Sequence, residues 1–270
     1  MNKKVIVPLL GVLSIAGIGA AERPDPSPAE IDKIIATFAE NELAFSKARD
    51  NYTYRQTARI SEFEESGTPG GRFELVSDII FNNDGRRTER VVKAPQPTLR
   101  LIQMSPEDEQ DLRNVLPFVL TSKEIGNYHV RYLGRQNADE IPCYVFAVRP
   151  KTMQPGQRYF TGQIWVDDRD LMIVKTYGRS TGILKKGTDQ QFPKFETYRE
   201  QVDGKYWFPT YTAANSTLHF QDSNPRVKLT VKYEDYKQFK SDTKITFGET
   251  VDEGKQPATP PPSGAEPKKP

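Results

Sequence analysis

Cysteine and histidine are almost missing from this chain of 270 residues: Cys143, His129 and His219 are the only ones. A single cysteine excludes an intrachain disulfide and a cysteine-based zinc site. Its setting in residues 141–147, Ile-Pro-Cys-Tyr-Val-Phe-Ala, suits a small apolar residue buried in a strand. Two histidines leave little for nucleophilic hydrolysis, which needs a base beside the nucleophile. Each alternates with apolar neighbours and is expected to face outward, and no nucleophile elbow is expected. Charge of one sign is also lacking, with 38 basic and 36 acidic residues. Nothing in that balance suggests a nucleic-acid partner. The Asp167, Asp168 and Asp170 cluster lies where a turn is required and lacks a calcium-loop pattern, so turn chemistry is the preferred reading. Gly67, Gly70 and Gly71 stand between two strands, which does not support a phosphate loop. Arg86, Arg87 and Arg90 read as a solvated hairpin rim. These shortages point away from an enzyme and from any cofactor or metal.

No apolar run is long enough for a comfortable transmembrane helix. The longest, 5–18, follows Lys3 and Lys4 and precedes Gly19-Ala20-Ala21. That order is a secretory signal peptide, with cleavage expected after Ala21, so the protein should work in the periplasm or outside the inner membrane. The expected organisation is residues 1–21 as signal peptide, 22–245 as one folded domain and 246–270 as a disordered, Pro-rich tail.

What the folded part has in quantity is alternation. Ser27 and Glu30 have capping-box spacing around Pro28, and Ile31, Ile34, Ile35, Phe38, Leu43 and Ala44 continue as a helical stripe. Beyond it, 52–61, 73–81, 88–93, 128–135, 141–149, 162–167, 171–177, 195–202, 206–220 and 227–239 alternate with period two. About ten antiparallel strands with one apolar face follow. Residues 105–119 interrupt them with a second helix start, whose stripe Leu112, Val115, Leu116 and Val119 contains Pro117. Hydrophobic residues make up only 36% of the chain, yet 14 Phe and 12 Tyr are available. A single curved sheet with an apolar concave face fits these facts, and a two-sheet sandwich fits them too.

The layout resembles the periplasmic outer-membrane lipoprotein-sorting family. The likeness is carried by Gly162-Gln-Ile-Trp-Val-Asp167 with Leu171-Met-Ile-Val-Lys175, and by Phe195-Glu-Thr-Tyr198, Tyr206-Trp-Phe-Pro209 and Val231-Lys-Tyr-Glu-Asp-Tyr236. The resemblance implies a mainly β fold: a single curved antiparallel sheet forming an unclosed barrel, covered by an N-terminal helix and an inserted helical lid. It also implies a non-enzymatic carrier that takes acyl chains of lipids or lipoproteins, with a membrane-bound donor or receptor protein as a further partner. The rival is an envelope sensor or scaffold that binds another protein. By strand sidedness the cavity lining is expected from Tyr52, Tyr54, Ile60, Phe73, Leu75, Ile79 and Phe81. The lid is expected from Leu112, Val115, Leu116 and Val119, with the stripe as fixed core the plainer alternative.

Overall fold

The computed structural model describes residues 24–81, 87–104, 108, 112, 117–183 and 191–238, with Phe81 described in its backbone only. The expected signal peptide (1–21), the expected tail (246–270), Val115 and Leu116 lie outside these residues. Helix α1 spans Pro28–Arg49 and is followed by β1 (Tyr52–Phe63), β2 (Pro69–Phe81) and β3 (Arg87–Lys93). After a connecting segment come β4 (Tyr128–Ala138), β5 (Ile141–Pro150), β6 (Tyr159–Asp167) and β7 (Ile173–Thr181). The set ends with β8 (Phe195–Gln201), β9 (Trp207–Thr217) and β10 (Arg226–Gln238).

All ten form one sheet in the order β3-β2-β1-β10-β9-β8-β7-β6-β5-β4, every pair antiparallel. Two meanders are thus joined where the last strand pairs with the first. The strands β3 and β4 each pair on one side only within this sheet, so the barrel is unclosed; the sandwich alternative is not adopted.

The helix begins as the capping box requires. Glu30 N–H donates to Ser27 Oγ, and Ser27 N–H donates to the Glu30 carboxylate. Its buried residues are Ile34, Phe38, Ala39, Glu42 and Phe45. The expected stripe therefore needs correcting at its end: Ala44 is exposed and Leu43 half-buried, while the line runs through Glu42 to Phe45. Steps of three and four from Phe38 reach Glu42 and Phe45, which share one helix face.

That face fills the concave side of the sheet over β5 to β8. Phe38 meets Phe146 with ring centroids 5.5 Å apart, and both are fully buried. Phe118, from the connecting segment, stacks on Phe160 at 4.4 Å. Phe160 can lie flat because Gly162 and Gly178 are opposite each other beneath it. A Cβ on either would come within 3 Å of the ring. The apolar hollow expected from sequence is therefore occupied here by the chain's own aromatic rings.

The convex face carries cross-strand charges. Asp78 pairs with Arg55 and Arg90, and Glu74 pairs with Arg59 and Lys93. Such exposed pairs fix register more than they stabilise.

A different carboxylate holds the start of the connecting segment. Glu62, 1% exposed, accepts backbone N–H bonds from Gly71, Arg100, Leu101 and Ile102 at 2.7–3.1 Å. Gly71 has to lack a side chain, since a Cβ there would stand 1.9 Å from Thr98 O. Burial is the largest influence on Glu62 and pushes its pKa up, but the four donors together outweigh it and hold the carboxyl below its ordinary range. Replacing Glu62 by Ala leaves four donors unmatched and should lower the unfolding free energy by about 3 kcal/mol. Because the folded pKa is depressed, the contribution is complete above the ordinary value of 4.5 and fades as pH falls below it. Urea unfolding of the wild type and Glu62→Gln at pH 7 and at lower pH checks this: the gap between them should narrow on acidification.

Candidate functional site

Strand pairing sorts the residues that face the concave side. Leu229, Ile60 and Phe73 lie in one row; Val231, Ala58 and Leu75 in the next; Tyr233, Gln56, Ser77 and Val91 in a third. Tyr54, Ile79 and Glu89 form a fourth, followed by Phe81 with Arg87. The lining residues expected on β1 and β2 therefore do share one face, with Tyr52 at the far end of β1.

Their burial divides them. Tyr54 and Ile79 belong to the main core, and Tyr52 packs with Phe45, Met172 and Phe208 in a separate cluster. Ile60 is buried, whereas Phe73 and Leu75 are only half-buried. Leu229 beside them is half-buried too, and Val91 is 56% exposed. Concave apolar surface thus persists around β2 and the end of β10, away from the cover provided by α1. The Phe81 side chain lies outside the described residues.

Of the expected lid residues, Leu112 is helical and buried in the main core, and Val119 is half-buried against the Phe45 cluster. Val115 and Leu116 cannot be placed, as they lie outside the described residues. Of helices longer than one turn, α1 alone has described bounds. The rest of the cover comes from Phe118 and Leu120, both buried, beyond Pro117.

What fastens this cover is a buried ion pair that sequence reading missed. Glu42 is 0% exposed and Arg199 3%. The Nη1 of Arg199 donates to Glu42 Oε1 and Oε2 at 2.9 and 3.2 Å, and to Ile173 O at 3.3 Å. Its Nη2 donates to Phe118 O, and the guanidinium lies 5.2 Å from the Phe45 ring centroid. Ile173 N–H completes the arrangement by donating to Glu42. One guanidinium thereby joins α1, β7, β8 and the segment carrying Phe118. Burial is the dominant influence on Glu42 and raises its pKa, while Arg199 and the Ile173 N–H pull against it. The signal available in sequence was a charge in the middle of an apolar helical stripe.

A second feature is a solvent-open cleft of about 810 Å³ at the end of α1. Ala44, Met172, Tyr206 and Trp207 contribute apolar surface, and Asn41, Arg169, Asp170, Gln201 and Lys205 supply polar groups. Asp170 accepts from Gln201 Nε2 at 2.8 Å and from Trp207 Nε1 at 3.3 Å. Asp167 Oδ1 accepts from the N–H groups of Arg169 and Asp170, which is the turn chemistry expected of the aspartate cluster. Among the described residues no group of three or more His, Cys, Asp or Glu could hold a metal ion.

Both histidines are exposed as expected, His129 on β4 and His219 just beyond β9. The expectation of no nucleophile elbow needs a correction at the level of sequence. Residues 178–182 read Gly-Arg-Ser-Thr-Gly and match the Gly-x-Ser-x-Gly pattern. Ser180 lies in the extended strand β7 instead of at a strand-to-helix turn, and its buried Oγ reaches no base. Cys143 is 1% exposed, and burial pushes its thiol up to about 12. It should resist a thiol reagent at neutral pH in the native protein and react once urea unfolds the chain; mass spectrometry of the labelled protein reads both states. Glu42→Ala strands the Arg199 charge and should cost about 3–5 kcal/mol of stability, measured by urea unfolding.

No protein-family model matches the chain, and no curated protein matches it. Solved structures do. The chain is similar to a DUF1329 family protein from Desulfovibrio piger at 13% identity, covering 75% of this chain and 92% of that one, with a TM-score of 0.37. It is similar to a LolA superfamily protein from Nitrosomonas europaea at 12% identity, covering 74% and 94%, with a TM-score of 0.32. An outer membrane lipoprotein-sorting protein domain from Vibrio parahaemolyticus aligns at 13% identity over 78% and 95%, with a TM-score of 0.34. The family that the strand layout resembles is thus among the structures this chain is similar to.

Proposed function

We propose that the protein is a non-enzymatic carrier of the cell envelope whose concave face receives the acyl chains of lipids or lipoproteins. The observation that carries this reading is the incomplete cover of that face. Phe73, Leu75 and Leu229 stay half-buried and Val91 is largely exposed, although they share a face with the core. An apolar chain laid there would remove this surface from water, each buried methylene contributing about 0.8 kcal/mol. Longer chains would extend under the cover, which has to move for that purpose. Arg199 fastens both the helix and the Phe118 segment to β8, so these bonds have to open for the cover to move. The positively charged, then apolar N-terminal stretch supports export as the route to the envelope. No helix among the described residues is long and apolar enough to cross a membrane.

A second reading, binding of a protein partner, is favoured by the cleft beside Trp207. Its mixture of aromatic surface and charged rim suits a peptide better than an acyl chain.

Native protein should release lipid when extracted with organic solvent, and emptied protein should bind a fluorescent fatty acid. Phe73→Asp with Leu75→Asp should weaken that binding at least tenfold. Extracts without lipid, together with no fatty-acid binding, would overturn the carrier reading. A stoichiometric protein partner recovered without lipid would favour the second.

A further inference from the structure

Arg87 does not behave as the hairpin-rim residue that the sequence suggests. On β3 it is opposite Phe81, and its neighbour Glu89 is opposite Ile79, a residue of the main core. The pairing therefore turns the Arg87 side chain to the concave face. Its side chain is 23% exposed, and among the described residues its one ion pair is between Nη1 and Glu89 at 3.4 Å. Nε and Nη2 are shut off from solvent and reach no hydrogen-bond partner. Burial is the largest influence on the Tyr233 phenol and raises it, while the Thr212 hydrogen bond and, less, the Arg87 charge pull it back.

Chemistry selects the missing partner. Nε–H and one Nη–H of a guanidinium form a planar fork that matches the two oxygens of a carboxylate. Here that edge is the unoccupied one, while the long contact to Glu89 uses the other nitrogen. Leaving such donors buried and unmatched is costly, by more than an ordinary hydrogen bond is worth. Along β2 the concave positions then run Ile79, Ser77, Leu75 and Phe73. Ser77 Oγ, 1% exposed, is a second polar atom without a partner on this path. From Phe81 to Leu75 the strand advances about 20 Å, close to the length of an extended sixteen-carbon chain.

We infer that the Nε–Nη2 edge of Arg87 receives the carboxylate of a long-chain fatty acid whose tail lies along β2 toward Leu75 and Phe73. This rests on the carrier reading and narrows it: the cargo bears an anionic head, and that head binds inside the concave face beside the β3 edge. With Nε and Nη2 shut off from solvent, entry of the carboxylate requires the surroundings of Arg87 to give way.

The test compares hexadecanoate with methyl hexadecanoate, which has the same tail and no charge, on emptied full-length protein at pH 8. Wild type should bind the acid at least tenfold more tightly. Arg87→Met, which keeps the apolar stem, should bring the two ligands within about twofold by weakening the acid alone. Ser77→Ala should reduce acid binding by a smaller factor. Equal affinity of wild type for acid and ester would overturn the assignment of Arg87 while leaving the carrier reading intact. Binding of neither would overturn both. If the Arg87 variant fails to fold, the wild-type comparison still overturns the assignment wherever acid and ester bind equally.

Discussion

The arrangement depends on one buried charge pair. Arg199 and Glu42 meet where an apolar helix face, two strands and the segment carrying Phe118 converge. Moving two ions from water into such a place is expensive, and their attraction offsets the expense only when the remaining donors and acceptors are satisfied. Here Ile173 O and N–H and Phe118 O provide that satisfaction. Apolar residues of similar volume could hold α1 on the sheet at least as firmly. What the ions add is position: an apolar contact tolerates sliding by a turn, whereas this guanidinium accepts α1 at one register.

Glu62 does comparable work with the opposite chemistry. Among the described residues it forms no ion pair and takes backbone N–H groups from two stretches of chain instead. The segment that crosses from β3 toward β4 is therefore tied near its start to β1 and near its end to Arg199. Between these ties lies the part that contains Leu112. The half-buried apolar row of Phe73 and Leu229 lies on the β1 side of the first tie.

Sequence disclosed the strands well because alternation is a local signal. Tyr52, Tyr54, Ile60 and Ile79 could be assigned to one face by counting in twos, and the capping box at Ser27 located the start of α1. Which strands would be neighbours was less legible, since the pairing of β1 with β10 joins the two ends of the chain. The site was harder still. Glu42 and Arg199 each look like ordinary charges in their own segments, and only tertiary packing brings them together. Gly162 and Gly178 give no hint in one dimension that a ring lies across both. Arg87 was misread because a basic residue beside a turn is usually solvated, and the register that turns it inward is not visible locally.

The energetics of the empty and loaded states then follow from the same contacts. Burying the sixteen-carbon chain considered above offers on the order of 10 kcal/mol of transfer free energy, before the entropy of ordering it is subtracted. Lifting the cover exposes Phe38 and Phe118 and strands a guanidinium, a cost of several kcal/mol for the ion pair alone. These opposing quantities are of similar size. A cover fastened by many charged contacts would exclude the ligand, and one fastened by none would leave the apolar face open to aggregation. On the carrier reading proposed above, the Glu42–Arg199 pair within an aromatic core would place the protein between those limits, closed when empty and able to open for a ligand whose tail replaces the lost apolar contacts.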